Sequence, residues 1–295
     1  MGQMLPIFNI AKFFWGCLLI FILFAPVLSA QAAKSANDYF ESLQKRLISD
    51  GFDKDMIQKL YEKPQVYFET NSVSSFFAHK EARLNYDQFT DRTSIQKAKK
   101  YMENHQAELS NAEKVYGVDP KIITAIILVE SRLGKLLGKR SVLNVLSTLA
   151  SLADPKIRER LWKSITNPDQ QKRTNFEKWA LRKSKWAYAE LKAFIEYVTR
   201  EGIDPVNITG SYAGAIGIPQ FMPSNILYYA EDGNRDERIN LFNHADAIAS
   251  IASYLKQNGW RPKISGKKAY KVIYRYNHSD YYVNTILKIS ELLEG

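Results

Sequence analysis

One carboxylate stands where an ionised side chain is unfavourable. Glu130 follows a nearly unbroken apolar run, residues 122–129, and precedes Ser131 and Arg132. A carboxylate against an apolar wall either finds a partner or keeps a proton. A proton held near neutral pH is what a general acid supplies. Pairing with Arg132 and a solvated helix end remain open as structural explanations of this residue.

A second candidate is the glycine-rich block of residues 210–224. Its glycines allow tight turns and a close approach of the backbone to a neighbour. The block lacks the Gly-Lys-Ser/Thr ending of a phosphate loop and the Gly-x-Ser-x-Gly frame of a serine nucleophile. Ser211, Tyr212 and Gln220 could line a sugar-binding wall. A close-packed turn is the more ordinary interpretation of this block alone.

The segment 274–282 is dense in tyrosine. Such side chains stack on the apolar face of a sugar and hydrogen-bond its rim. A tyrosine-rich surface loop is the equal alternative.

Metal sites have one candidate. The four histidines are far apart in sequence and form no zinc motif. The segment 232–240 resembles a calcium loop, because Asp232, Asn234 and Asp236 place oxygen atoms at its first, third and fifth positions. Glu237 stands where that loop favours glycine, so a polar turn without metal is an equal interpretation.

The elements that must position these residues are predicted to be mainly α-helical. Asp119 as N-cap and Pro120 at the first helical position predict a helix that ends near Gly134 and carries Glu130 close to its end. This helix is apolar nearly all round, which predicts a buried central position. Further helical patterns surround residues 191–198, 248–255 and 283–287, and no convincing hairpin is present.

The N-terminal segment differs from the rest of the chain. Residues 1–33 contain one charged side chain, Lys12, and a long apolar run that ends in a small-x-small pattern. This pattern predicts a signal peptide and export to the periplasm, with an uncleaved membrane anchor as the alternative. The chain's one cysteine, Cys17, lies in this segment, so cleavage would leave no disulfide.

The formal charge of +10 favours an anionic partner. For an exported protein this means cell-wall polymer or membrane surface. No nucleic-acid partner is expected, because the basic residues are scattered and not interleaved with stacking aromatic rings, and because the export signal argues against a cytoplasmic protein.

Four ordered motifs together resemble the membrane-bound lytic murein transglycosylase B family. They are the helix from Asp119 to Gly134, the block 210–224, the segments 239–242 and 246–248, and Tyr276-Asn277-His278-Ser279. The resemblance implies a lysozyme-like helical catalytic core, similar to goose-type lysozyme and soluble lytic transglycosylases, over residues 106–295. It also implies an N-terminal helical lobe at 34–105. The β-lobe is expected to be reduced or absent, because only residues 260–275 occupy the place of the family's β-rich insertion.

The resemblance further implies an activity: cleavage of the MurNAc-β-1,4-GlcNAc bond of peptidoglycan with formation of 1,6-anhydro-MurNAc. A lysozyme-type hydrolase and a non-catalytic peptidoglycan-binding protein are the alternatives. Glu130 would be the catalytic acid and base, and no cofactor would be required. The implied substrate-binding residues are Ser211, Tyr212, Gln220, Phe221, Tyr276, Asn277 and Tyr282. The implied Ca²⁺ loop comprises Asp232, Asn234, Asp236, Asp246 and the main-chain carbonyl of Arg238.

Overall fold

The computed structural model describes residues 38–78, 85–165 and 173–294. The predicted export signal and its cleavage site lie outside these residues. None of the described helices combines the length and the apolar character that a bilayer span requires.

The described residues are mainly helical, as predicted. Within the described residues, the β-structure is one small sheet of two strands, β1 and β2, each two residues long. Short 3₁₀ helices occupy Asp87–Phe89 and Pro205–Asn207. The elements in chain order are α1 (38–49), α2 (Lys54–Tyr61), α3 (Thr70–Ala78), α4 (Arg92–Asn104), α5 (Gln106–Tyr116), α6 (Pro120–Ser131), β1 (Arg140–Ser141), α7 (Val142–Ser151), α8 (Pro155–Ser164), α9 (Arg173–Arg200), β2 (Thr209–Gly210), α10 (Pro223–Tyr229), α11 (His244–Gln257), α12 (Gly266–Tyr276) and α13 (Asp280–Leu292).

Helix α6 is the predicted central helix. The Asp119 carboxylate caps it by accepting a hydrogen bond from the Lys121 N–H at 2.8 Å, and residues 122–128 are buried. Helices α4, α5, α11 and α13 pack against α6. The helix ends abruptly because Arg132, Leu133 and Gly134 all adopt left-handed backbone conformations, with φ of 53°, 60° and 82°. Glu130 therefore occupies the last turn of a rigid, enclosed element.

Helix α9 is longer than its apolar pattern predicts. It runs over 28 residues, from Arg173 to Arg200, and so begins well before the periodic residues 191–198. Phe176 and Trp179 are buried, so the N-terminal half of α9 also packs on the protein. Helix α9 lies along α7 and α10.

The N-terminal helices join the same core as the rest of the chain. The Tyr61 hydroxyl and the Ser147 hydroxyl of α7 share a hydrogen bond of 2.7 Å, and the Glu69 N–H donates to the Thr148 hydroxyl at 2.8 Å. One apolar cluster extends from Phe40 to Leu293. The boundary between lobe and catalytic domain at residues 105 and 106 falls between α4 and α5 and stays a prediction.

Strands β1 and β2 connect the loop after α6 to the glycine-rich block. They pair antiparallel, with Arg140 opposite Gly210. A Cβ atom on Gly138 would lie 2.0 Å from the Gly210 carbonyl oxygen, and one on Gly210 would lie 2.1 Å from the Ala215 carbonyl oxygen. A side chain at Gly138 would push the two loops apart, and one at Gly210 would distort the turn of the glycine-rich block itself.

The tyrosine-rich segment is not a surface loop. Residues 266–276 form helix α12 and residues 280–292 form helix α13. Tyr276 ends the first helix, and Tyr282 lies in the first turn of the second with its side chain buried. The surface-loop alternative is wrong because the apolar sides of both helices, including Val272, Ile273, Val283 and Ile286, are buried in the core.

Candidate functional site

The centre of the site is a hydrogen bond between α13 and α6. The Tyr282 hydroxyl donates to Glu130 Oε1 at 2.7 Å. Tyr282 is 1% exposed, whereas Glu130 is half-buried. The tyrosine therefore fixes one carboxylate oxygen from the protein side, while part of the Glu130 side chain remains accessible.

Tyr276 stands beside Tyr282. Their rings are nearly parallel, 8° apart in orientation, with centroids separated by 6.4 Å. The Tyr276 hydroxyl donates to the Pro219 carbonyl at 2.6 Å. This contact ties the glycine-rich block to the acid through a continuous path that runs from Pro219 to Tyr276, Tyr282 and Glu130.

The two tyrosines remain protonated far above neutral pH. Burial is the largest cause that raises the pKa of Tyr282 well above its usual range, and the charge of Glu130 adds to it. The same causes, in the same order, raise the pKa of Tyr276. Tyr282 is thus a neutral donor throughout the physiological pH range, and it can stabilise an ionised Glu130.

The glycine-rich block folds back on itself beside this pair. Ser211 Oγ accepts hydrogen bonds from the N–H groups of Ala213 at 3.2 Å and Ala215 at 3.0 Å. This leaves the Ser211 hydroxyl hydrogen as a donor. Ser211, a predicted sugar-contacting residue, therefore also stabilises the turn of its own loop.

Gln220 adopts a left-handed backbone conformation with φ of 50°. Its side-chain amide nitrogen donates to the Gly217 carbonyl at 2.7 Å and, more weakly, to the Leu137 carbonyl at 3.4 Å. Both bonds use the NH₂ group, so the carbonyl oxygen of the side chain keeps its acceptor capacity. A non-glycine residue held in this region of φ is uncommon and is often found at functional sites.

The remaining predicted substrate contacts have different environments. Tyr212 is half-buried and packs edge-on against Phe76 of α3, with ring centroids 5.6 Å apart. Asn277 caps the end of α12 and is half-buried. Phe221 is only 2% exposed, and its ring lies 5.9 Å from that of Tyr276. Phe221 thus packs against Tyr276 from the interior of the protein.

Two supporting groups were not predicted from the sequence. Tyr254 packs against Tyr276 with ring centroids 4.9 Å apart, and its hydroxyl donates to the Arg275 carbonyl at 2.7 Å. The Leu137 carbonyl contacts Gln220 as described above. Tyr254 lies among the buried residues of α11, so its sequence signal is that of a core residue. A carbonyl group carries no sequence signal at all.

Arg132 has partners of its own. Its guanidinium donates to the Gln88 side-chain carbonyl and lies over the Phe89 ring, 4.2 Å from the centroid. Both partners belong to the turn that precedes α4. Arg132 therefore secures the end of α6 against the N-terminal half of the chain.

The predicted calcium loop lies next to the glycine-rich block. The Ile218 N–H donates to the Leu241 carbonyl at 2.9 Å, which joins the two segments. Asp232 accepts from the N–H groups of Asp236 at 3.1 Å and Glu237 at 2.7 Å. Glu237 adopts φ of 66°, so the backbone takes the left-handed conformation that glycine favours at this position. The loop therefore keeps the backbone conformation of a calcium loop although Glu237 replaces glycine.

Asp246 closes this loop from α11. It is fully buried and accepts hydrogen bonds from the N–H groups of Gly233, Asn234 and Asn240. Desolvation raises its pKa, although these hydrogen bonds oppose the shift. Within the described ranges, no three His, Cys, Asp or Glu side chains form a ready metal cluster. The oxygen donors are of the type that Ca²⁺ takes, but an ion would also need the Asn234 amide oxygen and the Arg238 carbonyl.

The fold and the site define a lysozyme-like helical protein in which one glutamate ends a buried helix beside a hydrogen-bonding loop. Residues 35–267 match the family described as the transglycosylase SLT domain, and the chain belongs to that family.

Among curated proteins, the chain is similar to membrane-bound lytic murein transglycosylase B of Escherichia coli strain K12. The two are 31% identical over 229 residues, which cover 74% of this chain and 56% of the relative. The chain thus matches little more than half the length of that relative.

Solved structures share the fold. Escherichia coli lytic transglycosylase Slt35 in complex with calcium aligns with a TM-score of 0.67 and 24% identity, covering 89% of this chain and 92% of the other. Pseudomonas aeruginosa SltB1 aligns with a TM-score of 0.66 and 23% identity, covering 89% and 98%. Pseudomonas aeruginosa SltB3 in complex with NAG-anhNAM-pentapeptide aligns with a TM-score of 0.70 and 18% identity, covering 88% and 80%. The predicted lysozyme-like class is confirmed.

Proposed function

We propose that this protein is a lytic transglycosylase that cleaves the MurNAc-β-1,4-GlcNAc bond of peptidoglycan and leaves a 1,6-anhydro-MurNAc end. The observation that carries the proposal is the Tyr282-held carboxylate of Glu130 at the end of a buried helix. Family membership, and relatives whose printed names describe lytic murein transglycosylases, support it.

In the first step, protonated Glu130 donates its proton to the glycosidic oxygen, and the bond between that oxygen and the anomeric carbon breaks. A glycosidase usually has a second carboxylate for the developing positive charge. In the proposed reaction, the N-acetyl carbonyl oxygen of the MurNAc residue fills the second role by bonding to the anomeric carbon.

In the second step, ionised Glu130 removes the proton of the sugar's own 6-hydroxyl. The 6-oxygen then attacks the anomeric carbon and displaces the N-acetyl oxygen. The proton is thereby returned to Glu130, and no water is consumed. A nucleophile tethered to the same ring has a high effective concentration, which compensates for the absence of an activated water.

The neighbouring side chains have positioning roles in this proposal. The Ser211 hydroxyl and the Gln220 side-chain carbonyl hold the N-acetyl and adjacent groups. Tyr276 and Asn277 border the sugar at the cleavage point, and Tyr212 borders the strand further along. Tyr282 stabilises the ionised form of Glu130 between the two steps, because its neutral hydroxyl donates to the carboxylate.

The test is a digestion of purified murein sacculi followed by mass spectrometry of the released muropeptides. The wild type is expected to release anhydro-muropeptides, and the Glu130→Gln variant is expected to lose at least about a hundredfold in rate. Products one water heavier, with reducing ends, would identify a lysozyme-type hydrolase. Binding to sacculi without release by either protein would identify a non-catalytic binding protein.

We also infer that the protein is exported and acts in the periplasm, because the apolar segment 1–33 has the pattern of a signal peptide. Retention of that segment would anchor the enzyme to the membrane. Electrophoretic mobility and N-terminal sequencing of protein from cell fractions would separate these states. A mature protein in the cytoplasm would contradict export.

A structural Ca²⁺ ion is part of the same proposal. Asp232, Asn234, Asp236 and Asp246, with the Arg238 carbonyl, would hold it. The ion would take no part in the reaction. It would stiffen the segment whose Leu241 carbonyl accepts a hydrogen bond from Ile218 in the glycine-rich block.

A further inference from the structure

Helix α9 carries a stripe of buried polar side chains that bond the loops around the site. Glu190, Tyr197 and Glu201 follow one another at spacings of seven and four residues, which places them on one face of the helix. Glu201 comes directly after α9, and its N–H continues the helical pattern by donating to the Tyr197 carbonyl at 3.0 Å. Tyr197 is fully buried, Glu190 is 6% exposed and the Glu201 side chain is 8% exposed. We call these three residues the α9 polar stripe.

Glu190 holds the end of the glycine-rich block. One of its carboxylate oxygens accepts from the Ser224 N–H and the other from the Ser224 hydroxyl, each at 2.9 Å. Ser224 lies in the first turn of α10, where backbone N–H groups have no partner within the helix. Met222, the N-cap of α10, makes no capping hydrogen bond with its side chain. The acceptor is therefore supplied by α9, and it ties the block to that helix.

Tyr197 and Glu201 hold a second segment. The Tyr197 hydroxyl donates to the Ile239 carbonyl at 3.0 Å, and the Ile239 N–H donates to the Glu201 carboxylate at 3.0 Å. Two residues later, the Leu241 carbonyl accepts from the Ile218 N–H at 2.9 Å. The α9 polar stripe therefore supports the glycine-rich block at a second place, through this segment.

Gln220 lies between these two supports. It comes two residues after Ile218 and four residues before Ser224. Its φ of 50° is a backbone conformation that costs free energy for a residue other than glycine, and such a conformation persists only where the surrounding structure enforces it. The Gln220 N–H donates to the Gly217 carbonyl at 3.2 Å, but a bond within the block does not fix the block against the rest of the protein. The supports from α9 do so on both sides of Gln220.

From this arrangement we infer that Glu190 is a positioning residue of the reaction, which acts by holding Gln220 in place. In the proposed mechanism, the Gln220 side-chain carbonyl holds the N-acetyl region of the sugar, whose oxygen must reach the anomeric carbon. A displacement of about 1 Å at such a group costs up to about a hundredfold in rate. The inference rests on the proposed function for its reaction. It adds a residue that lies outside the substrate-binding wall and acts through Gln220.

The kinetic test compares Glu190→Ala, Glu190→Gln and Glu177→Ala in the turnover of purified sacculi. Glu190→Ala removes both acceptors of Ser224, and kcat is expected to fall about ten- to thirtyfold while KM stays within about twofold. Glu190→Gln keeps an acceptor for the Ser224 N–H and gains a donor for its hydroxyl oxygen, so most of the lost kcat is expected to return. Glu177→Ala is the matched control, because Glu177 lies on α9 but pairs with Arg158 and Arg173. Its kcat is expected to equal that of the wild type.

A double-mutant cycle with Gln220→Asn separates positioning from general support of the fold. Asparagine tolerates the left-handed conformation and withdraws the side-chain amide by one methylene group. If Glu190 acts through Gln220, adding Glu190→Ala to Gln220→Asn lowers kcat by less than about twofold. An equal loss of kcat in both backgrounds would show that Glu190 supports only the fold, and this would overturn the inference. If Glu190→Ala does not fold, Ser224→Ala removes one of the two hydrogen bonds and repeats the cycle with the same criterion.

Amide hydrogen exchange tests the same support without turnover. In Glu190→Ala, the amides of Gln220 and Phe221 are expected to exchange at least about tenfold faster than in the wild type, whereas Glu177→Ala leaves them protected. Unchanged protection in Glu190→Ala would overturn the inference. A wild type that releases no anhydro-muropeptides would contradict the proposed function, and the exchange comparison would still decide whether Glu190 holds the block.

Discussion

The Tyr282 hydroxyl donates a hydrogen bond of 2.7 Å to the carboxylate of Glu130, a residue 152 positions earlier in the chain. Tyr282 lies in the first turn of α13 and Glu130 in the last turn of α6, two helices that pack against each other in the core. The acid of the proposed reaction is therefore oriented by a buried donor. The charge of Glu130 in turn helps to keep that donor protonated.

Tyr282→Phe tests this relationship directly. The variant keeps the ring and removes the hydroxyl, so Glu130 loses the group that orients it and stabilises its ionised form. We expect kcat to fall about ten- to a hundredfold with little change in KM, and the free energy of unfolding to fall by about 1–2 kcal/mol. Steady-state turnover of sacculi and urea unfolding measure the two effects.

The matched control is Tyr188→Phe, which removes a hydroxyl that donates to Asp50 in the turn after α1. Its kcat is expected to equal that of the wild type. A Tyr282→Phe enzyme with unaltered kcat would show that the hydrogen bond is structural.

Gly210→Ala tests whether the glycine-rich block needs its close backbone approach. The new Cβ would meet the Ala215 carbonyl oxygen at 2.1 Å, so the block must shift away from its position beside Glu130. We expect a loss of about 1–3 kcal/mol in the free energy of unfolding, as for overpacked positions, together with a loss of turnover. In Gly266→Ala, the added Cβ has no neighbour within 4 Å, and stability is expected to be retained. Equal stability of the two variants would refute the steric argument.

Calcium should stabilise the folded protein if the 232–246 loop holds it. Ca²⁺ at about a hundred times its dissociation constant adds about 2.7 kcal/mol to the free energy of unfolding. Thermal unfolding with Ca²⁺, with Mg²⁺ and with a chelator measures this effect, and Asp236→Asn should abolish it. Identical transitions in Ca²⁺ and chelator would mean that the loop is closed by its own N–H donors, without an ion.

Stability should fall in alkaline solution because buried tyrosines must ionise when the chain unfolds. Burial raises the pKa of Tyr61, Tyr197, Tyr276 and Tyr282 above the ordinary value. Above about pH 10, the usual tyrosine pKa, the unfolded chain releases protons that the folded chain keeps, so rising pH favours unfolding. Urea unfolding at pH 8 and pH 11 should show the loss. A Tyr61→Phe variant should lose less stability over this interval than the wild type, and an equal loss would contradict this cause.

Local signals in the sequence were sufficient to predict many of the helices. The Asp119 cap, Pro120 and the apolar run of α6 act within a few residues of each other, so their energetic effects can be estimated without a fold. The same is true of the periodic patterns in α11 and α13. The glycines of the block 210–224 also indicated a close approach, although they did not identify the approaching atoms.

Other features depended on tertiary packing. The apolar pattern of α9 covers residues 191–198, yet the helix begins at Arg173 because Phe176 and Trp179 are buried in the core. The tyrosines near the C-terminus fitted a surface loop equally well. They lie on α12 and α13 because the apolar residues of these two helices, such as Val272, Ile273 and Val283, are buried in the core.

By itself, the sequence determined that the protein is mainly helical and that Glu130 ends its most apolar helix, because the caps and periodicity that specify a helix lie within a few residues. It also specified a chain of motifs that resembles one enzyme family. Only the tertiary structure decided that Tyr282 holds Glu130 and that Tyr276 connects this pair to Pro219. Contacts between residues so distant in sequence arise from the packing of whole helices, and no local pattern encodes them.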